Sequence, residues 1–344
     1  MSRLPPLPEF ARLSDRVWRV MGLNPGTNTY LVGRGARKVL IDCGAGRPEY
    51  LPLLIQSLKT ISEDCFISDI YLSHCHSDHW GGVEQILTSP LSKPNVHKFP
   101  LPPGGKDETS FMGSFPWSLV KLTPLEDNQI IKVDPNTTLH VLHTPGHAND
   151  HCAFWFEEEQ SIFTADCILG HGSVIFSDLS EYMASLKKME ALVPKRLYPG
   201  HGTMIENGPA KIKEYINVRK QREDQIVRIM HSDTKKQSWT IGDLVQAIYG
   251  FEGDMMMEYT VSLHLTKLEK DGRVVQSREA NDADSDIKNV QWLCACGWAS
   301  VLEIAHATIP SSEEINSVNG KDLHGHKYQK RDFLILVIVN YYAK

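Results

Sequence analysis

Ser73-His74-Cys75-His76-Ser77-Asp78-His79-Trp80-Gly81-Gly82 follows directly on the apolar run Ile70-Tyr71-Leu72. That run reads as a strand, and the polar decapeptide as the loop leaving its end. Four side chains able to bind a metal, His74, His76, Asp78 and His79, fall within six residues. On extended backbone, alternate residues share a side, so positions 74, 76 and 78 project together. Imidazole and carboxylate suit Zn²⁺ or another divalent transition metal. Cys75 alternates away from them, and the expectation for it is a buried neutral thiol.

Three further motifs repeat the pattern of a strand end presenting one ligand. Thr144-Pro145-Gly146-His147 turns sharply to offer an imidazole, Phe163-Thr164-Ala165-Asp166-Cys167 ends on a carboxylate, and Tyr198-Pro199-Gly200-His201-Gly202 flanks a histidine with glycines. Each alone is an ordinary surface or core residue. Together with the first loop they give seven candidate ligands, His74, His76, Asp78, His79, His147, Asp166 and His201. One zinc needs only three protein ligands and an open position, so seven suit two ions.

Around these motifs, Thr29–Val32, Lys38–Ile41, Leu139–Leu142 and Ile162–Thr164 read as strands. Tyr50–Leu58 and Leu179–Leu192 read as amphipathic helices, the second carrying Leu179, Tyr182, Met183, Leu186 and Met189 at helical spacing. This predicts an α/β fold with helices layered on sheet. From Pro209 to about Val275 the pattern turns helical, and Asp271-Gly272-Arg273 forms a turn into Val274-Val275, the outline of a small helical domain with a hairpin wing. Residues 277–344 hold no sustained period and read as an appended tail of unknown structure. Its Cys294-Ala295-Cys296 lacks the second pair a zinc site requires. The expected division is 10–208, 209–276 and 277–344.

Composition narrows the partners. In 344 residues, 36 Lys and Arg against 42 Asp and Glu give a net charge of −6, so no long-range positive field draws in nucleic acid. Seven scattered cysteines are no disulfide framework and suit a reducing intracellular compartment. The apolar run Phe333–Val339 is too short to span a bilayer, so no membrane association is expected. Locally, Lys211, Lys213, Arg219, Lys220, Arg222, Arg228, Lys235 and Lys236 outnumber the acids among them. That stretch is either a phosphate-steering face or an ordinary solvated one.

The ordered set His74-x-His76-x-Asp78-His79, His147, Asp166 and His201 resembles the metallo-β-lactamase fold superfamily, an αββα sandwich with two metals at one edge. Gly26-Thr27-Asn28-Thr29-Tyr30, Leu40-Ile41-Asp42-Cys43-Gly44, Ala165-Asp166-Cys167 and Leu265-Thr266-Lys267-Leu268 extend the resemblance to the β-lactamase-like endoribonuclease family of animal mitochondria, whose fungal relatives include thioesterases. It covers roughly residues 10 to 275, the winged-helix-like end domain included. Asn24-Pro25 runs directly into Gly26, a loop shorter than the family's.

The resemblance implies that His74, His76 and His147 hold one zinc, that Asp78, His79 and His201 hold the other, and that Asp166 bridges. A water shared by the ions would attack the substrate, with Asp78 as the catalytic group orienting it. Asp42 is implied to steady a ligand histidine, although a loop-capping role is equally open, and His171 is a substrate-contact candidate. Single-stranded RNA cleavage is the activity the resemblance favours, with location in the mitochondrial matrix or the cytoplasm. A thioesterase or other acyl hydrolase is the alternative, and a binding scaffold would be expected to have lost ligands. Trp117 and Trp155 could stack bases but read more simply as core.

Overall fold

A computed structural model describes residues 7–22, 26–91, 93–101, 112, 115–233, 236, 238–251, 253–277 and 290–294. The chain opens as a meander of four antiparallel strands, β1 Phe10–Arg12, β2 Val17–Met21, β3 Asn28–Val32 and β4 Arg37–Ile41. The helix Tyr50–Ile61 then carries it to β5 Phe66–Leu72, parallel to β4, and β6 Asn95–Lys98 and β7 Thr123–Pro124 extend the same sheet in parallel. A second sheet holds β8 Ile130–Asp134, β9 Thr137–His143, β10 Cys152–Phe156 and β11 Ser161–Ala165 in antiparallel order. Its last strand, β12 Arg196–Pro199, follows the helix Leu179–Ala191 and lies parallel to β11.

Period-two alternation divides each central strand between two cores. Tyr30, Val32, Val39 and Ile41 meet Cys152, Phe154, Phe156 and Phe163 between the sheets. Leu31 and Leu40 turn outward onto Tyr50, Leu54 and Leu58 of the first helix. Ala153 and Ile162 turn outward onto Leu179, Tyr182, Met183, Leu186 and Met189 of the second. Three apolar interfaces require four layers, so the architecture is an αββα sandwich.

The helices Gly208–Ser232, Ile241–Tyr249 and Met255–Lys270 form a fourth cluster with Val274. Thr240 and Asp243 close a reciprocal capping box on the second of these. The expected boundary at 208/209 falls at the start of a helix that serves two cores. Ile212, Tyr215 and Ile216 pack on the sandwich, whereas Ile226 and Met230 pack in the helical unit.

The reading of everything beyond 276 as a tail needs correction. Gln291–Cys294, β14, pairs antiparallel with β13 Val274–Ser277, and Trp292 is buried in the helical cluster. Gln291-Trp292-Leu293-Cys294 is too short a run to show a period. The loop Asn24-Pro25, Lys235, Cys296 and the remaining tail lie outside the described residues. Trp155 is half-buried against the sandwich core, but Trp117 is 48% exposed, contrary to the core reading.

Candidate metal centre

Parallel strand direction explains why the motifs converge. β4, β5, β9, β11 and β12 each end next to a candidate residue, namely Asp42, His74, His147, Asp166 and His201. Because strands within each sheet run parallel or return through an intervening antiparallel partner, those carboxyl ends gather at one edge.

Backbone strain aims the two carboxylates. Asp42 has φ 56° and Ala165 φ 41°, both left-handed, and the β11–β12 register shifts between Phe163 and Ala165. Such conformations cost about 1–3 kcal/mol each and persist only where surrounding contacts fix them. Two glycines clear the approach. A Cβ on Gly200 would stand 2.4 Å from Asp166 Oδ1, and one on Gly146, where φ is 124°, would stand 2.3 Å from the Tyr182 backbone nitrogen.

His74, His76, His147 and Asp166 place one ligand atom each within 4.8 Å of one another, and so do Asp78, His79 and His201. In the first group, Nδ1 of His76 faces Nε2 of His74 at 2.9 Å and Nε2 of His147 at 3.0 Å. In the second, Asp78 Oδ2 lies 3.5 Å from His79 Nε2 and 3.3 Å from His201 Nε2. Asp166 reaches both groups. Its Oδ1 is 3.5 Å from His79, and its Oδ2 is 3.7 Å from His147 and 3.4 Å from His201. All seven predicted ligands are therefore brought together.

The donor set fits divalent cations. His79 Nε2 and Asp166 Oδ1 are buried and make no hydrogen bond among the described residues, an arrangement costly without a partner. Three imidazole nitrogens facing one another likewise have too few protons to satisfy each contact, and a cation resolves the shortage.

The two groups differ electrostatically. Burial pushes His74 well below the usual histidine range, helped by His79 and His147, and burial with His147 lowers His76 to about 4. Burial opposes charge on His201 too, but hydrogen bonds to Asp166 and Asp78 raise it to about 9. His79 behaves alike: burial disfavours its cation, yet Asp166 and Asp42 carry it well above the usual range. Burial also works against the Asp78 and Asp166 carboxylates, and His201 and His79 hold both below the usual range. His74 and His76 thus offer neutral imidazoles, as a metal requires.

Residues outside the seven hold them in place. Asp42 accepts from the Ser73 backbone N–H and hydroxyl at 2.8 Å each and lies 2.7 Å from His79 Nδ1, while Ser73 Oγ is 2.9 Å from His74 Nδ1. The Ile175 carbonyl lies 2.6 Å from His147 Nδ1. Thr27 donates its hydroxyl to Asp78 Oδ2 at 2.8 Å. Asn28 donates to the Pro199 and Gly202 carbonyls, and Tyr30 to that of Pro199, so β3 clamps the His201 loop. The only signals for Thr27, Asn28 and Ser73 are the Gly26–Tyr30 motif and adjacency to His74, and the Ile175 carbonyl carries none. His171 is exposed at the rim, its ring against Gly202. Cys75 is buried in the outer core.

Comparison with known proteins agrees with this geometry. The profile of the Metallo-beta-lactamase superfamily matches residues 24–201. The chain is 37% identical to the "Beta-lactamase-like protein 2 homolog" of Drosophila melanogaster, over 80% of this chain and 95% of the fly protein. It is 38% identical to the "Atrochrysone carboxyl ACP thioesterase" of Aspergillus chevalieri, over 72% and 78%. A crystal structure of a beta-lactamase domain protein from Burkholderia ambifaria shares the fold, with a TM-score of 0.66, 16% identity and coverage of 86% and 98%. With its four layers, its seven converging ligands and these relatives, the chain belongs to the metallo-β-lactamase superfamily.

Proposed function

We propose that the chain is a zinc-dependent endoribonuclease acting on single-stranded RNA. In this reading His74, His76 and His147 hold one ion, Asp78, His79 and His201 hold a second, and Asp166 is shared. Two zinc ions supply a hydrolytic nucleophile at neutral pH and stabilise developing negative charge. Asp78, with its side chain 24% exposed at the mouth and anchored by Thr27, orients the attacking water and takes its proton. Asp42 and Ser73 fix His79 and His74, and the Ile175 carbonyl fixes His147, so the imidazoles present one nitrogen each inward. His171 is placed to meet substrate.

The observation that carries the RNA assignment is the seat of the basic helix Gly208–Ser232. Its Arg219 donates to Ser173 Oγ at 3.0 Å, in the same loop whose Ile175 carbonyl holds His147. Arg219 of this helix thus reaches the loop that holds His147, although the chain has no overall positive charge. The helices with the β13–β14 ladder act, in this reading, as a winged-helix-like end domain. No disulfide joins the six described cysteines, and the compartment we propose is a reducing one, the mitochondrial matrix or the cytoplasm. No helix among the described residues is long and apolar enough to cross a membrane.

Thioester hydrolysis is the second reading, favoured by the identity to the fungal thioesterase. Incubation of the purified protein with labelled single-stranded RNA and with an acyl thioester, each with and without chelator, tests the two. Chelator-sensitive RNA cleavage is expected. Cleavage that resists chelator, or turnover of the thioester alone, overturns the proposal.

A further inference from the structure

Between the helices Gly208–Ser232, Ile241–Tyr249 and Met255–Lys270 lies a cleft of about 970 Å³. Arg219, Arg222, Arg228 and His264 line it together with Ser173 and Tyr249, and no acidic side chain is among its described lining residues. The acids of the same helix are engaged elsewhere. Glu223 faces Lys267 at 3.1 Å, and Asp224 pairs with Arg273 at 3.0 Å.

Arg219 and Arg222 are built in rather than free in solvent, whereas Arg228 is exposed. Arg219 is 8% exposed, its guanidinium 5.0 Å from the Phe176 ring centre and bonded to Ser173. Arg222 lies 4.9 Å over Tyr249. Arg219 Nε and Arg222 Nη1 are buried with no hydrogen-bond partner among the described residues. A guanidinium retained beside an unneutralised cleft with donors unspent is a structural cost, and an oxyanion offering two adjacent acceptor oxygens relieves it. Positive charge has also accumulated here: burial first, then Arg219, Arg222 and Lys267, push the His264 imidazole down to about 3.

We propose that this cleft binds a phosphodiester group of the substrate, with Arg219 and Arg222 as its main partners and Arg228 at the rim. The proposal rests on the reading of the neighbouring centre as a hydrolytic site, because Ser173 joins the two. Two sources carry that group, the backbone of RNA and the phosphopantetheine arm that bears acyl thioesters. A chain threaded from the centre past Ser173 would lay its phosphodiester in the cleft in either case.

The test uses the full chain with Arg222→Gln, Arg228→Gln and the double substitution, leaving buried Arg219 intact. Thermal unfolding first establishes that each variant is folded. Fluorescence anisotropy with a labelled single-stranded RNA, in chelator to stop turnover, is then read across salt concentrations, and the titration is repeated with a labelled peptide whose serine carries phosphopantetheine, which keeps the phosphodiester. The double variant should bind its ligand about tenfold more weakly, with the slope of log affinity on log salt shallower by about 1.4 if the ligand is single-stranded RNA. Loss confined to RNA assigns the backbone; loss confined to phosphopantetheine assigns the acyl carrier arm. Unchanged affinity for both in the folded double variant overturns the cleft. Because binding is read without turnover, a protein that binds as expected but leaves RNA uncut overturns the nuclease reading and not the cleft.

Discussion

Asp42 Oδ2 and His79 Nδ1 are 2.7 Å apart, with both side chains almost wholly buried. One bond therefore fixes which imidazole nitrogen faces the centre. Asp42→Asn keeps the shape and removes the charge, and zinc affinity of the site containing His79 should fall about 10–100-fold. Competition against a chromogenic chelator measures it; an unchanged affinity would show that Asp42 serves only the loop.

Asp78→Ala and His79→Ala should each abolish turnover, by on the order of 10²–10⁴-fold or more, and leave the far-ultraviolet circular dichroism intact. The reasoning is local. Both residues sit in a short helix on a loop, so neither truncation opens a cavity in the three sandwich cores. Retained activity in either variant refutes the proposed centre.

Zinc should raise the melting temperature of chelator-treated protein. At one hundred times its dissociation constant, a ligand specific to the native state stabilises by about 2.7 kcal/mol. In His76→Ala the response should shrink, since His76 Nδ1 is the point on which both His74 and His147 converge. Differential scanning calorimetry with and without zinc reads both, and equal responses would contradict the ligand set.

His264 gives an acid limb to stability. Its folded value, lowered to about 3 chiefly by burial, lies below the ordinary value of 6.5. Between these values the unfolded chain takes up a proton that the folded chain refuses. Stability contributed by neutral His264 is therefore full above pH 6.5 and is lost as pH falls towards 3, by up to about 1.4 kcal/mol per pH unit. His264→Leu should flatten the dependence between pH 6.5 and 4 relative to wild type in urea titrations, and parallel curves would exclude this source.

Gly200→Ala should harm metal binding more than folding. The added methyl would stand 2.4 Å from Asp166 Oδ1 and 3.0–3.1 Å from the Ala165 backbone, so the sharpest conflict is with the carboxylate that reaches both groups. Metal stoichiometry beside the unfolding midpoint separates the two effects.

The ligands were legible because each sits in a contiguous motif at a strand's end, where one turn suffices to aim it. Their supports were not. Thr27 reaches Asp78 and Asn28 reaches Pro199 only through sheet registers that bring distant segments side by side. The helices at Leu179–Ala191 and Tyr50–Ile61 followed from apolar spacing, because one face of each covers a sheet. Trp292 escaped for the opposite reason: one buried ring in a strand of four residues leaves no periodic trace. Trp117 misled because an aromatic residue reads as core unless its neighbours are known.

The helix Gly208–Ser232 seals the outer face of the second sheet's helical layer with one end and nucleates the helical unit with the other. Asp178 ties the arrangement further, since its carboxylate both caps the helix Leu179–Ala191 and receives Lys270 at 2.9 Å. A chain cut after Asn207 would leave Cys167, Ile168 and Tyr182 without their cover and would be prone to aggregation. Sandwich and helical unit thus share this helix, and exchange of one helical unit for another would have to keep its first turns.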